Sequence, residues 1–222
     1  MNIDLSPLLN SWPFLLSALW MTILVSVLSM ALGFAIGVVV GTLRTYGGRA
    51  IDALLSLYVD SVRAVPVLVI LVWTYFAFPL VIGASISATE AGVLALGVHL
   101  GAYMAEAIRA GLTSVRKGQM RAALALGMSR LEAIRTIILP QALVRMLPPL
   151  GSLFVIAIKD SAIAGLAIGV PELLRQSQIV VGKSFRPFEI YTALLIVYFL
   201  LCYPVARGVD RLYRRMAHLG SS

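Results

Sequence analysis

The side chains best placed to do chemistry are Lys159 and Asp160, adjacent charges in an otherwise apolar run from Leu147 to Val170. A charge at the centre of a bilayer costs at least ~2.5 kcal/mol on insertion scales, so such a residue faces water, a partner or a substrate. Neighbouring residues on a helix point about 100° apart, so the two cannot share one task. Asp160 is expected on a water-filled path, where its carboxylate would meet a substrate ammonium group. Ser161 would add a hydroxyl, and Lys159 would pair with a carboxylate or carbonyl of a neighbouring helix. The competing reading is an ion-paired lock between helices. Trp73, Tyr75 and Phe76 offer aromatic surface, either to line the same path or as packing and interface anchors.

Other reactive side chains form no constellation. Cys202 stands alone in an apolar run and reads as a small buried hydrophobe. His99 and His218 are far apart, without metal-ligand spacing. Gly182-Lys183-Ser184 lacks the glycine a phosphate loop needs five positions earlier, where Ser177 stands. The chain is expected to be no enzyme and to hold no cofactor of its own.

The elements that position Asp160 are membrane spans. The chain is 60% hydrophobic and 13% charged, against roughly 45–50% and about 25% in soluble domains. A span needs about 20 apolar residues, and five stretches serve: about 14–43, 65–82, 88–105, 148–170 and 191–209. The fold expected is an all-α, five-span polytopic membrane protein, one domain over 1–222. Gly33, Gly37 and Gly41 recur at every fourth residue of the first span, a stripe that lets another helix approach closely. Pro66 lies in the first turn of the second span, where a missing N–H costs little.

Of 18 Lys and Arg residues, three lie from Arg44 to Arg63, seven from Arg109 to Arg145 and four from Arg207 on. By the positive-inside rule these segments are cytoplasmic, the N-terminus outside and the C-terminus inside. The N-terminal segment has no basic region before its apolar run, so the first span is expected to be retained. The net charge of +8 follows topology and not a basic, aromatic-interleaved stripe, so no nucleic-acid partner is expected. Glu90 and Glu172 fall at the outer face as solvated loop charges or as contacts for an external protein.

One polar island interrupts the apolar pattern, from Gln119 to Pro140. Gln119 to Leu126 has helix-forming residues, Gly127 suits a helix stop, and Ser129 with Glu132 makes a capping box for a second helix. That helix is expected to run through Ile138 and to end at Pro140. Helix, glycine elbow, helix on the cytoplasmic face suits a protein docking element or an amphipathic hairpin lying on lipid.

The spacing of the island resembles the cytoplasmic signature of ATP-binding cassette importer permeases. That signature is Glu-Ala-Ala, three residues, Gly, nine residues, Ile-x-Leu-Pro. Here Arg121-Ala122-Ala123, Gly127 and Ile137-Ile138-Leu139-Pro140 keep every interval. Arg63-Ala64-Val65-Pro66, Tyr103-Met104-Ala105-Glu106 with Arg109-Ala110-Gly111, Lys117-Gly118-Gln119, Gln141-Ala142 and Lys159-Asp160-Ser161 resemble the polar amino acid permeases of that family. The resemblance covers about half the chain, from Arg63 to Glu172.

The resemblance implies a permease subunit of a binding-protein-dependent importer in the bacterial inner membrane, for a polar amino acid or similar small zwitterion. The elbow would be the coupling helix, seated in a groove of a cytoplasmic ATPase dimer that carries ATP and Mg. Gln119, Arg121, Ala122, Ala123, Gly127, Ser129, Glu132, Leu139 and Pro140 would form it. The partners implied are that ATPase, a second permease subunit, an extracytoplasmic substrate-binding protein and the bilayer. Arg121 departs from the family's acid, which points either to an unusual ATPase surface or to a heterodimer whose other half keeps the acid. Ser152 and Leu153 stand where the family often has Asn and a polar or acidic residue, which argues against a strongly cationic substrate. An ion-coupled secondary transporter or channel is the alternative, but the paired broken helices of inverted repeats are not seen.

Overall fold

A computed structural model describes residues 4–219, apart from the side chains of Lys117, His218 and Leu219. The reading of His218 therefore lies outside the described side chains. The described chain is helical with no strand. In order the helices are α1 (Ser6–Tyr46), α2 (Arg49–Ala64), α3 (Val67–Ile82), α4 (Ala88–Ser114), α5 (Lys117–Ala125), α6 (Arg130–Ile168), α7 (Leu173–Ser184) and α8 (Pro187–Leu219). Among the described residues α1, α4, α6 and α8 are long and apolar enough to cross a membrane, and the bent pair α2–α3 counts as a fifth when taken as one broken span.

The scaffold is the contact of α1 with α4. One face of α1 is a continuous line of small residues: Ala18, Thr22, Ser26, Ser29, Gly33, Gly37 and Gly41, all buried. The glycine stripe packs on α4 in both directions. A Cβ on Gly33 would lie 2.9 Å from Leu100 Cβ, and one on Gly37 2.5 Å from Met104 Cβ. Conversely, a Cβ on Gly97 would meet Leu32 at 2.5 Å, and one on Gly101 would meet Ile36 at 2.8 Å. Each helix thus lays its large side chains over the other's glycines.

The segment from Arg44 to Arg63, expected as a loop, is the helix α2 packed onto α1 and α4. Val59 is buried with Val40, Ala102 and Ala105, and the Tyr58 hydroxyl donates to the Val98 carbonyl at 2.9 Å. Its sequence folds this way because Leu55, Tyr58, Val59 and Val62 share one helical face. The helix stops at Val65, extended at φ −91° and ψ 133° before Pro66, the conformation a following proline enforces. The chain turns there by 101° into α3, with Pro66 as its cap residue.

Pro140 does not end its helix, contrary to expectation. Leu139 N–H reaches back five residues to the Ile134 carbonyl, making a π turn over Ile134–Ile138. Proline lacks an N–H and its ring crowds the carbonyl four residues earlier; the wider turn absorbs both, so α6 continues through Pro140 to Ile168. Pro79 in α3 does the same, with a π turn over Trp73–Ala77.

The α1–α4 seam leaves no room for a side chain. Gly37→Val should lower stability by about 1–3 kcal/mol, the usual cost of overpacking, read as a lower midpoint of thermal unfolding in detergent. Adding Met104→Gly, which removes the Cβ opposite, should recover part of the loss.

Candidate functional site

The elbow is built from two caps. Helix α5 ends in a Schellman motif, with Met128 N–H on the Ala123 carbonyl and Gly127 N–H on the Leu124 carbonyl, both at 3.1 Å. Gly127 sits at φ +84°, which glycine adopts without strain. Ser129 Oγ then accepts the Glu132 N–H at 3.2 Å. The return bond of the expected capping box, from Ser129 N–H to Glu132, is not formed among the described residues. The full box is at Ser87 and Glu90 at the head of α4, so Glu90 is a cap and not merely a loop charge.

Ala123 and Ala133 are buried where α5 meets the start of α6. Met120 and Ile137 pack against a cluster of Ile108, Leu112, Val115, Ile138, Ala142 and Met146 that roots the elbow on α4. Arg145 fastens the same junction by donating to the Ser114 carbonyl and, at 3.1 Å, to Ser114 Oγ. Outward, the elbow presents Leu126, 83% exposed, and Leu131, 57% exposed. Gln119, Arg121, Ala122, Arg130, Arg135, Leu139 and Pro140 are exposed as well. The arrangement is an apolar knob with a basic rim on a root that packing holds fixed.

Along the same α6 helix lie Lys159, Asp160 and Ser161. Lys159 lines a cleft of about 300 Å³ between α6 and α8, with Ser152 and Asp210 on its wall. Among the described residues it has no ion pair, so the expected partner for Lys159 is not supplied within this chain. Asp160 is half-buried and makes no hydrogen bond or ion pair among the described residues. Ile163 and Ala167, on its stripe, border the same buried cluster as Val67, Ile70 and Tyr75 of α3, whereas Lys159 shares a cleft with Tyr198, Phe199 and Cys202 of α8. Tyr75 is half-buried in that cluster, whereas Trp73 and Phe76 are exposed. Ser161 is fully buried, its hydroxyl turned back to the Ile158 carbonyl at 2.8 Å.

Two polar clusters escaped the sequence reading. At the C-terminal end of α1 Arg44 donates to Asp52 at 3.0 Å and to Glu106, and Arg109 donates to Glu106 at 3.2 Å. Arg63 stacks on the Tyr103 ring at 5.2 Å. These bonds join α1, α2 and α4 and give structural work to Arg63, Tyr103, Glu106 and Arg109. At the other end Glu172, expected as a solvated charge, is fully buried. Its carboxylate accepts Leu174 N–H at 3.0 Å, Arg175 N–H at 2.7 Å and the Tyr198 hydroxyl at 2.9 Å. Thr22 of α1 accepts the Leu173 N–H beside it at 3.0 Å. A lone acid between two spans was the only signal in the sequence, and it does not distinguish a loop charge from a helix cap.

The sequence pattern of the family described as binding-protein-dependent transport system inner membrane component matches residues 33–218. The chain belongs to that family. It is 38% identical to the glutamine transport system permease protein GlnP of Escherichia coli (strain K12), over 97% of this chain and 99% of that protein. It is 34% identical to the probable glutamine ABC transporter permease protein GlnM of Bacillus subtilis (strain 168), over 96% of this chain and 98% of that one. Among solved structures, one from a crystal structure of an amino acid ABC transporter with histidines superimposes with a TM-score of 0.88 at 33% identity. It covers 97% of this chain and 100% of that one. The MetNI methionine ABC transporter in an inward-facing form matches with a TM-score of 0.80 at 24% identity, over 93% of this chain and 98% of that one, a likeness of fold alone. As a family member this inner membrane component is a membrane-embedded transport subunit, and the ion-coupled alternative finds no support.

The Glu172 cluster sets the docking of α7 and α8 in this transport subunit. Glu172→Ala leaves three donors unpaired and should cost about 1–3 kcal/mol. Combined with Tyr198→Phe, the loss should fall short of the sum by about 0.5–1.5 kcal/mol in a double-mutant cycle read by thermal unfolding.

Proposed function

We propose that this chain is the permease subunit of an ATP-driven, binding-protein-dependent importer for a polar amino acid or similar small zwitterion. The observation that carries the reading is mechanical: the exposed elbow and Asp160 stand on one helix. α6 runs 39 residues, Arg130–Ile168, without a break, roughly 58 Å at 1.5 Å per residue. Force applied at the elbow moves the stretch that bears Asp160.

The elbow enters a groove of a separate cytoplasmic ATPase, a helix-in-groove contact with Leu126 and Leu131 as its apolar anchors. ATP and Mg belong to that partner, and closure of two ATPases drives two elbows together. The basic residues Arg121, Arg130 and Arg135 then face an acidic groove rim, which makes Arg121 part of the electrostatic match. The N-terminus is outside the bacterial inner membrane and the C-terminus in the cytoplasm. A second permease subunit, a like copy or a paralogue, completes the enclosure, since the half-buried Asp160 stripe is open on one side. A binding protein delivers the substrate from outside. Asp160 takes the substrate ammonium group on the path, Tyr75 and Trp73 of α3 are the aromatic candidates for its lining, and Lys159 in the α8 cleft balances the charge.

In proteoliposomes with the ATPase and binding protein, amino acid addition should stimulate ATP hydrolysis. Uptake driven by an ion gradient without an ATPase would overturn the reading. Leu126→Asp with Leu131→Asp should weaken ATPase capture about 30-fold, the scale of one interface hot spot, while the permease folds normally. Asp160→Asn should cut uptake about tenfold or more, as expected for a hydrogen bond to a charged group, with complex yield unchanged. Equal loss of yield and uptake would assign Asp160 to a helix lock instead.

A further inference from the structure

Where α1 and α8 diverge at the N-terminal end of both helices, they leave an apolar groove of about 380 Å³. Leu8, Leu9, Leu15 and Leu16 line one wall, Ala193 and Leu194 the other, with Leu173 and Ser177 of α7 between them. On α1 the groove extends from Leu8 to Leu19, about 16 Å of helix. That is the length of a long stretch of acyl chain, and the groove runs along both helices instead of across them.

Depth is marked by aromatic residues. Trp12 on α1 and Phe188 and Tyr191 on α8 are exposed at this end, the level where aromatic side chains settle between headgroups and hydrocarbon. Just beyond them sits a charged cluster. The Arg186 guanidinium lies 3.5 Å from Glu189 Oε1 and 4.0 Å from Asp4 Oδ2. Asp4 N–H donates to Glu189 Oε1 at 3.2 Å. The Ser6 N–H and hydroxyl hold the Asp4 carboxyl below its ordinary value. Two carboxylates and one guanidinium meet here among the described residues, and Asp4 and Arg186 remain partly open to solvent.

We propose that this groove binds the acyl chain of a phosphatidylethanolamine, with the lipid's ammonium group on Asp4 and its phosphate on Arg186. The charge pattern fits a zwitterionic headgroup that can donate hydrogen bonds. Phosphatidylglycerol has no ammonium group to place on Asp4, and a choline headgroup has no N–H to offer it. The site is separate from the elbow and from Asp160 and does not depend on the proposed transport function. Its structural role is to fill the gap where α1 and α8 hardly touch.

The permease is tested as a single-tryptophan protein, with Trp20→Phe and Trp73→Phe leaving Trp12 in the groove. In vesicles mixing phosphatidylethanolamine and phosphatidylglycerol, one brominated on its acyl chains at a time, quenching of Trp12 reports which lipid occupies the groove. Brominated phosphatidylethanolamine should be preferred about tenfold, the scale of one charge-assisted hydrogen bond. Asp4→Asn should reduce the preference, and Ala193→Phe, which fills the groove, should abolish it. Leu195→Phe on the exposed face of α8 should leave it intact and serves as the folding control. Equal quenching by the two lipids overturns the proposal. So does a disulfide between two copies formed through Leu16→Cys in a Cys202→Ser background, which would make the groove a subunit contact.

Discussion

Everything else in this molecule hangs on how closely α1 and α4 approach. In a bilayer the hydrophobic effect does not push helices together, because lipid is as apolar as leucine. Close packing must supply the attraction, and it grows with the number of atoms in contact. Glycines on both helices permit that contact, with Leu32 and Ile36 over Gly97 and Gly101 and Leu100 and Met104 over Gly33 and Gly37. The result is a stiff pair on which α2, α3 and α6 can be laid. Leu153 and Ala157 of α6 pack against Leu100 and Met104 of α4, the same residues that cover the α1 glycines.

Polar groups then lock the two ends of the pair, where a missed partner is most costly. Arg44, Asp52, Glu106 and Arg109 tie α1, α2 and α4 at one end. Thr22, Glu172 and Tyr198 tie α1, α7 and α8 at the other. The clusters are complementary in kind: the first is a set of ion pairs, the second a buried carboxylate fed by neutral donors. A Cβ on Gly165 would collide with the Glu172 carboxylate, so even the acid's approach to α6 relies on a missing side chain. Between the two locks, Asp160 is half-buried on α6, and unlike Asp52, Glu106 and Glu172 it has no partner among the described residues.

The sequence carried the elbow well because its signals are local. Gly127 has to adopt a positive φ, Ser129 has to cap, and intervals fixed by a helix–turn–helix are readable one residue at a time. The small-residue stripe of α1 was legible for a similar reason, though its partner was not: α4 is identified only when Gly97 and Gly101 are seen opposite Leu32 and Ile36. Helix α2 was lost because its Arg and Asp residues lowered the hydropathy of a segment whose buried face is only Leu55, Tyr58, Val59 and Val62. Glu172 was misread because burial of a single acid is decided by three donors, one of them 26 residues away. Long-range satisfaction of that kind leaves no pattern in a window of sequence.

The least legible feature, the path of the chain through its prolines, bears most directly on the coupling proposed for the elbow. Proline in a helix interior ordinarily kinks or breaks it. At Pro140 a break would detach the elbow from the span, and force at Leu126 would go into bending the joint. The π turn removes that outcome: the Leu139 to Ile134 bond keeps the backbone ladder engaged while the wider turn makes room for the proline ring. At Val65–Pro66 the same residue type does the opposite: Val65 is extended and the chain turns by 101°. A proline is thus a joint in one place and a continuous part of a lever in the other. In α6 the turn before Pro140 widens between the exposed elbow and the stretch that bears Asp160, and Pro148 and Pro149 lie further along the same continuous helix.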